Sequence, residues 1–327
     1  MKSSKPIASL SLDLDNKWSY MKTHGDPGWE SFPSYLDVLV PRVLRFLVDR
    51  SLTITFFVVG QDAALAKNHD ALRAIAAAGH ELGNHSFTHE PWLHLFSKDR
   101  IQQELAQTEQ AIEAVTGRRP VGFRGPGFSF SDTTLQVLIE RGYVYDASSL
   151  PTWIGPLARA YYFMTSSFAR DESEKRRALF GSIKDCFAPL KQHHLCHDAG
   201  QLVEIPVTTM PLLRVPIHAS YVLYLATFSS TLALLYFRTA LALCRLTGVQ
   251  PSLLLHPLDF LGCDDISELA FFPAMALRSQ QKLNLMSEIV SLYCSNYRVV
   301  TMREHADSLL PDSKLSSARS RQPRAVL

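Results

Sequence analysis

The chain has 327 residues, of which 46% are hydrophobic and 20% are charged, and its formal net charge is +2. This composition is ordinary for a soluble globular protein, and so small a charge does not predict a nucleic-acid partner. The five cysteines form no C-x-x-C pair and leave one unpaired in any disulfide scheme, which favours a reducing compartment. We read no secretory leader after Met1 and therefore predict a cytoplasmic protein.

Strand and helix signals alternate along the chain, beginning with a buried strand at residues 6–14. The run at 53–59 is apolar and rich in β-branched and aromatic residues, which is typical of a parallel strand covered on both faces. Between them, Pro41 is expected near the first turn of a helix at 40–48, where its missing N–H has little effect. The later predicted elements are helix 62–78, a short strand into His85, helix 101–115, strand 121–124, a helix capped by Ser131, strands 143–146 and 202–206, a long helix ending near Arg245, strand 252–256, helix 279–294 and strand 297–302.

This alternation predicts parallel βαβ units in a single α/β domain, with a barrel as the expected architecture. We expect the domain to span residues 1–310. Residues 150–200 break the rhythm and are interpreted as an insertion that contains a mixed-charge helix at 170–177. The tail at 311–327 is rich in Ser, Pro and basic residues and is expected to be disordered.

Two histidines four residues apart, His85 and His89, form the first candidate metal-binding feature. They can reach one cation if the backbone between them turns. In a parallel barrel the C-terminal ends of the strands converge on one face, and Asp13 and Asp15 end the first predicted strand. Residues two apart on a strand point to the same side, so one carboxylate can complete a two-His, one-Asp metal site while the other acts as a base.

Arg124 and His256 end two further predicted strands on the same face. Arg124 beside two carboxylates would neutralise and orient one of them. Taken singly, Asp13 and Asp15 could equally lie in a solvated turn, and Arg124 could equally form a surface ion pair. Four polar strand ends together favour a catalytic site.

Two other segments allow alternative interpretations. His193, His194, Cys196 and His197 could form a second metal site, although an exposed loop is the simpler interpretation. Residues 219–237 contain no charged residue and have the length of a membrane span, but serines and threonines interrupt them. We expect peripheral contact with a membrane surface there rather than a span.

Five segments, taken in order, resemble the motifs of the polysaccharide deacetylase family, the NodB-homology carbohydrate esterases, over roughly residues 7–309. The resemblance implies a deformed (β/α)7-type barrel. The segments are 12–16 for the first motif, usually Thr-Phe-Asp-Asp-Gly; 85–89 for His-[Ser/Thr]-x-x-His; 124–126, preceded by 117–123, for Arg-x-Pro; 202–207 for the fourth; and 253–257 for Leu-x-x-His-Pro.

The resemblance also implies roles for six residues. Leu14 separates the two aspartates, so their spacing does not fix which of them binds metal. The fourth segment lacks an obvious Asp and Trp, which leaves the partner of His256 open, with Asp198 as one candidate. The implied roles are Asp13 as catalytic base, Arg124 as the partner of that base, His256 as general acid, and Asp15, His85 and His89 as ligands of one divalent ion, either zinc or, in its place, cobalt or nickel.

Substrate contacts are expected from Pro126 and Gly127, which follow Arg124, and from Trp18, an aromatic residue of a loop suited to stacking on a sugar. The resemblance implies a metal-dependent hydrolase of amide bonds that removes acetyl groups from an N-acetylated sugar in a glycan or in a lipid- or nucleotide-linked precursor. One alternative is the same chemistry on an N-formyl sugar or a small cyclic amide. Another is a non-catalytic protein that binds a glycan or a membrane.

Overall fold

The computed structural model describes residues 5–154 and 187–309, which form one continuous sheet covered by helices. The strands are β1 Ile7–Leu14, β2 Thr55–Val58, β3 Glu81–Asn84, β4 Gly122–Phe123, β5 Tyr145–Asp146, β6 His193–His197, β7 Gly200–Glu204, β8 Ser252–Leu255 and β9 Arg298–Val300. The helices are α1 Lys17–His24, α2 Leu36–Val48, α3 Gly60–Ala64, α4 His69–Ala77, α5 Lys98–Thr116, α6 Asp132–Glu140, α7 Ala219–Ala226, α8 Ser230–Thr247, α9 Ser279–Asn296 and α10 Met302–Asp307.

Within residues 5–154 and 187–309, seven strands form a parallel array in the order β7-β5-β4-β3-β2-β1-β8. β9 lies parallel to the start of β1, and β6 pairs antiparallel with β7. The two ends of the array approach each other beyond β7: the Thr208 N–H donates to the carbonyl of Ser252 at 3.1 Å, and the Ser252 N–H donates to Thr208 Oγ1 at 2.7 Å. An irregular segment thus curls the sheet toward closure, and the predicted α/β barrel architecture is confirmed.

The residues of β1 alternate between two buried environments, which explains why this strand is buried along its length. Leu10, Leu12 and Leu14 belong to the large apolar core between the outer face of the sheet and the helices, where each fully buried leucine stabilises the fold by roughly 1.5–3 kcal/mol. Ser11 and Asp13 point to the inner face, where Arg124 donates to both side chains. The first strand therefore supplies apolar packing outside and polar groups inside.

Two glycines make room for large rings on the inner face. A Cβ at Gly83 would lie 2.5 Å from the ring of Phe57, and a Cβ at Gly122 would lie 1.9 Å from that of Tyr145. These rings pack with Met302 of α10 in an inner core that fills the barrel below the polar strand ends. The terminal helix, which the sequence pattern did not predict, therefore supports the site from beneath.

Two helix predictions were wrong in their boundaries. Helix α2 begins at Leu36, so Pro41 lies in its interior, on an exposed side where water can satisfy the carbonyl that loses its partner. The single helix predicted at 62–78 is interrupted between α3 and α4. The Asn68 side chain donates to the Asp62 carbonyl and carboxylate at 3.1 Å each, and this local bonding competes with helix continuation.

The histidine-rich segment differs from its prediction, whereas the expected membrane contact of the uncharged segment stays a prediction. Residues 193–197 form strand β6, with alternate side chains half-buried, and not an exposed loop. Residues 219–237 form α7 and the start of α8, separated by a break at which the Ser229 hydroxyl accepts from the Leu232 N–H. Among the described helices, none has both the length and the apolar character needed to cross a membrane. The predicted helix at 170–177 and the tail at 311–327 lie outside the described residues.

Candidate active site

The register of the sheet brings the polar strand ends to one level. Leu14 is aligned with Val58 on β2, Val58 with Asn84 on β3, and Asn84 with Phe123 on β4. The residues that follow three of these positions are Asp15, His85 and Arg124, so they leave the sheet side by side. On the other side of β1, Leu12 is aligned with Leu255 of β8, which places His256 beside Asp13 in the same register.

Asp15, His85 and His89 bring three potential metal ligands together. Asp15 Oδ1 lies 3.3 Å from His85 Nε2 and 3.0 Å from His89 Nε2. Two ligands about 2.0–2.1 Å from a tetrahedral zinc ion lie roughly 3.3 Å apart, so the donor set fits such an ion. Within 5–154 and 187–309 this is the only group of three or more His, Cys, Asp or Glu residues close enough to hold a metal.

The hydrogen bonds of His85 select the nitrogen that faces the cluster. Its Nδ1 lies 2.7 Å from the carbonyl oxygen of Arg124, which can only accept, so Nδ1 carries a proton. In the neutral ring Nε2 then presents a lone pair toward Asp15, as a metal ligand must. Without a cation between them, a neutral imidazole and a carboxylate this close would repel each other.

Electrostatics in the cluster favour the ionised carboxylate. Burial raises the pKa of Asp15, but the positive charge of His89 and the contacts of both histidines outweigh it, so the pKa lies well below its ordinary value. Burial lowers the pKa of His85, and the neighbouring charges of Asp13 and Asp15 more than reverse this, so its pKa is raised. A divalent ion would take the place of the protons that these groups otherwise hold.

The loop between the two histidines is held by Glu104, which sequence reasoning missed. One carboxylate oxygen of this buried α5 residue accepts from the backbone N–H groups of Phe87 and Thr88 at 2.9 and 2.8 Å, and the other accepts from the Thr88 hydroxyl at 2.7 Å. Ser86 and His89 both adopt positive φ angles, of 59° and 53°, which non-glycine residues rarely adopt. Glu104 therefore stabilises the unusual turn that brings His89 to His85.

Asp13 is held by a fully buried arginine. Arg124 Nη1 donates to Asp13 Oδ1 at 2.7 Å and to Ser11 Oγ at 2.9 Å, while its Nε donates to the carbonyl of Ala147 at 2.9 Å. The guanidinium also lies over the ring of Phe57, with Cζ 4.3 Å from the centroid. Asp13 Oδ2 is left pointing toward His85, with its oxygen 4.0 Å from Nε2. One oxygen is thus fixed and the other faces the metal cluster.

His256 belongs to a separate hydrogen-bond chain at the end of β8. The Ser220 hydroxyl donates to Asp259 Oδ1 at 2.7 Å and lies 3.1 Å from His256 Nδ1, so it accepts from an N–H at Nδ1. Asp259 Oδ2 also accepts from the His256 backbone N–H at 2.7 Å. Nε2 is therefore the nitrogen free to exchange a proton. Asp198 is exposed in the turn between β6 and β7, so the partner of His256 is Ser220 with Asp259, and the Asp198 candidate was wrong.

The three residues predicted to contact substrate differ in their exposure to solvent. The Trp18 side chain is only 1% exposed, and its indole N–H donates to Asp62 at 2.9 Å, so its ring is not available to stack on a sugar. Pro126 is buried and Gly127 is exposed, in a short turn directly after Arg124. Gly127 has a φ of 59°, and a Cβ there would approach Pro91 to 3.1 Å. These two residues remain candidates for substrate contact, and Trp18 is corrected to a structural role.

The fourth motif-like segment supports the site indirectly. Asp146 and its register partner Glu204 are both buried, and burial raises the pKa of each; the neighbouring Asp146 raises that of Glu204 further. This is the behaviour of two carboxyl groups that share one proton. Asp146 accepts from the Ser148 hydroxyl at 2.7 Å, and that hydroxyl accepts from the Gly125 N–H at 2.8 Å. The pair thereby anchors the turn that follows Arg124.

Comparisons with known proteins find related sequences and a similar fold. The sequence model of the polysaccharide deacetylase family matches residues 26–145. This range contains His85, His89 and Arg124, whereas Asp13, Asp15 and His256 lie outside it. A peptidoglycan deacetylase of Helicobacter pylori is 30% identical over 149 residues, which are 43% of this chain and 49% of that protein. A chitin deacetylase of Colletotrichum lindemuthianum is 34% identical over 92 residues, 27% of this chain and 37% of that protein. The chain thus matches half or less of the length of these relatives.

A solved structure supports the fold over the whole chain. The crystal structure of a Mycobacterium smegmatis protein assigned to the polysaccharide deacetylases has a TM-score of 0.63 and 21% identity, and the alignment covers 100% of this chain and 96% of that one. At this identity the likeness shows the fold alone. The comparisons thus show similarity to the polysaccharide deacetylase family over residues 26–145 and a shared fold with this solved structure.

Proposed function

We propose that the chain is a metal-dependent hydrolase of amide bonds that de-N-acetylates an N-acetylated sugar. One observation carries the proposal: the candidate metal ligands Asp15, His85 and His89 lie beside a carboxylate, Asp13, that Arg124 holds in place. A purely structural ion cluster has no need of a second, separately oriented carboxylate at the same strand end.

The roles follow from what each side chain can do. A divalent ion held by Asp15, His85 and His89 would polarise the amide carbonyl and acidify a water molecule. Asp13 Oδ1 is occupied by the Arg124 hydrogen bond, so Oδ2, which faces the cluster, is the oxygen that accepts the proton of the attacking water. Arg124 holds this carboxylate in place through a charge-assisted hydrogen bond and does not itself need to contact substrate.

The amine that leaves must receive a proton, because an amide anion is a very poor leaving group. His256 can deliver this proton from Nε2, since its Nδ1–H is engaged with Ser220. The carboxylate of Asp259, which accepts from Ser220, stabilises positive charge on the imidazole through this relay. Burial raises the pKa of Asp259, while the charge and backbone N–H of His256 and the hydroxyl of Ser220 act in the opposite direction.

We further propose zinc as the ion, with cobalt or nickel as substitutes. Two imidazoles and one carboxylate are a ligand set that zinc accepts, and three protein ligands leave positions for water and substrate. A thiolate, which would select strongly among soft metals, is not part of the cluster.

The substrate class is proposed from the relatives and from the predicted location. The relatives named above are described as acting on peptidoglycan and chitin, both of which contain N-acetylated sugars. A cytoplasmic location stays a prediction, which cell fractionation can test. If it holds, a lipid- or nucleotide-linked glycan precursor is the accessible form of such a sugar.

Product analysis tests the reaction. Incubation of the protein with an N-acetylglucosamine oligomer should release acetate and an equal amount of free amine, and the Asp13→Asn variant should release both about 10³-fold more slowly. Formate from an N-formyl sugar, or a ring-opened ureido acid from a cyclic amide, would assign the same chemistry to another substrate. If the metal-loaded protein cleaves no amide of any of these classes, the hydrolase proposal is wrong. A non-catalytic binding function then becomes the favoured hypothesis.

A further inference from the structure

The segment between β7 and the end of β8 has an unusual charge distribution. Residues 205–258 contain no aspartate or glutamate, and their fixed charges are three arginines, Arg214, Arg238 and Arg245. The chain as a whole has 31 acidic residues, so a run of this length without one departs from its average. Any surface formed by this segment is therefore positively charged or neutral.

Helices α7 and α8 display large apolar side chains from this segment to solvent. In α8 the exposed positions recur every three or four residues, so they form one face of the helix. Phe228, in the turn before α8, packs edge-to-face on Tyr224 with centroids 5.4 Å apart. Within α7, α8 and the turn between them, the most exposed large apolar side chains are Phe228 at 75%, Leu232 at 63%, Leu235 at 56% and Leu246 at 82%.

The two arginines of α8 border this face. Arg238 and Arg245 are exposed and seven residues apart, so they lie on the same edge of the helix. Neither forms an ion pair with the part of the chain that the structure describes. Apolar side chains bordered by cations without an ion-pair partner, in a segment that contains no acidic residue, match the interfacial region of a membrane that contains anionic lipid.

We propose that this docking face, consisting of Phe228, Leu232, Leu235, Arg238, Arg245 and Leu246, binds the surface of a membrane rich in anionic lipid. The phenylalanine and leucines enter the boundary between headgroups and acyl chains, and the arginines contact lipid phosphates. The helices lie on the membrane and do not cross it, in agreement with the break between α7 and α8. A protein partner would need an apolar groove that happens to carry acidic residues, whereas an anionic bilayer supplies both properties at once.

The docking face lies near the candidate active site. Ser220, the contact of His256, is in the first turn of α7, and Phe228 follows eight residues later. At a rise of about 1.5 Å per residue, this is a separation of roughly 12 Å along the helix direction. Docking would thus hold the site close to lipid headgroups. This connection to a lipid-linked sugar depends on the proposed function, but the docking face does not.

Vesicle flotation without substrate tests the docking face separately from catalysis. The full chain, wild type and Asp13→Asn alike, should float with vesicles of phosphatidylcholine and phosphatidylglycerol and should bind vesicles of phosphatidylcholine alone much more weakly. Phe228→Ser with Leu232→Ser should weaken binding at least tenfold through lost apolar burial. Arg238→Gln with Arg245→Gln should weaken it about thirtyfold at low salt and remove most of its salt dependence.

A matched control makes the same kinds of substitution at exposed residues outside the docking face. Val48, 67% exposed at the end of α2, and Arg73, exposed on α4, supply Val48→Ser with Arg73→Gln. This control should bind vesicles as the wild type does, and all three double variants should cleave a water-soluble substrate at the wild-type rate. Failure of the wild type to bind anionic vesicles would overturn the proposal, and so would evidence that this face instead binds a second copy of the chain. Equal binding by all variants would overturn it as well.

Discussion

Replacement of Asp13 by Asn is expected to lower kcat/KM for amide hydrolysis by about 10³-fold while the protein keeps its metal. The amide of asparagine has the same shape as the carboxylate and can still accept the Arg124 hydrogen bond, so the fold should survive. It cannot accept a proton from water at Oδ2, which faces the metal cluster in the wild type. Steady-state kinetics and metal analysis on the same sample provide the two readouts.

The same variant decides between the two aspartates, whose separation by Leu14 left their roles open. If Asp13→Asn loses metal, Asp13 is a ligand and Asp15 becomes the candidate base. A suitable control is Ser11→Ala, because Ser11 is the other acceptor of Arg124 Nη1 and has no role in proton transfer. We expect this control to retain most activity, and equal losses in both variants would mean that only the position of Arg124 matters.

Replacement of His256 by Ala is expected to lower kcat for an N-acetyl substrate by about 10²- to 10³-fold, because the leaving amine then receives no proton. The loss should be much smaller with an aryl acetate ester, since a phenolate leaves without protonation. This dependence on the leaving group separates an acid from a residue that merely supports the fold. Kinetics with both substrates, at equal metal content, provide the measurement.

Ser220→Ala serves as the graded companion of that variant. It breaks the relay between His256 and Asp259 but leaves the imidazole in place. We expect an intermediate loss of kcat on the amide, because the imidazolium that donates the proton loses its link to a carboxylate. For the His256→Ala variant itself, an equal loss of activity on the amide and on the aryl ester would contradict the role of His256 as general acid.

The constellation of strand-end residues could be predicted from sequence because it depends on position along strands. A parallel sheet places all C-terminal ends on one edge, so Asp13, His85 and Arg124 had to be near one another once their strands were identified. Hydrophobic periodicity, which is a local property of the chain, was enough to identify those strands.

The supporting residues could not be predicted with the same means. Ser220 reaches His256 across 36 residues, and nothing local marks a serine at a helix start as its partner. The sequence does contain one signal for Glu104, which falls on the same helical face as the apolar residues of α5. A buried acid needs a hydrogen-bond partner, so this position could have been predicted to support a neighbouring loop. Trp18 was expected to stack on a sugar because it is an aromatic residue in a predicted loop, but Asp62 offers its indole a buried acceptor.

Metal content of protein purified without added metal or chelator, with wild type beside His89→Ala, tests the central claim most directly. His89 lies on a turn outside the sheet, and its Nε2 is 3.0 Å from Asp15, so its removal should delete a ligand without unfolding the core. We expect about one divalent ion per wild-type chain and essentially none in the variant. A wild type that holds no metal even after incubation with zinc, cobalt or nickel would contradict the proposed hydrolase.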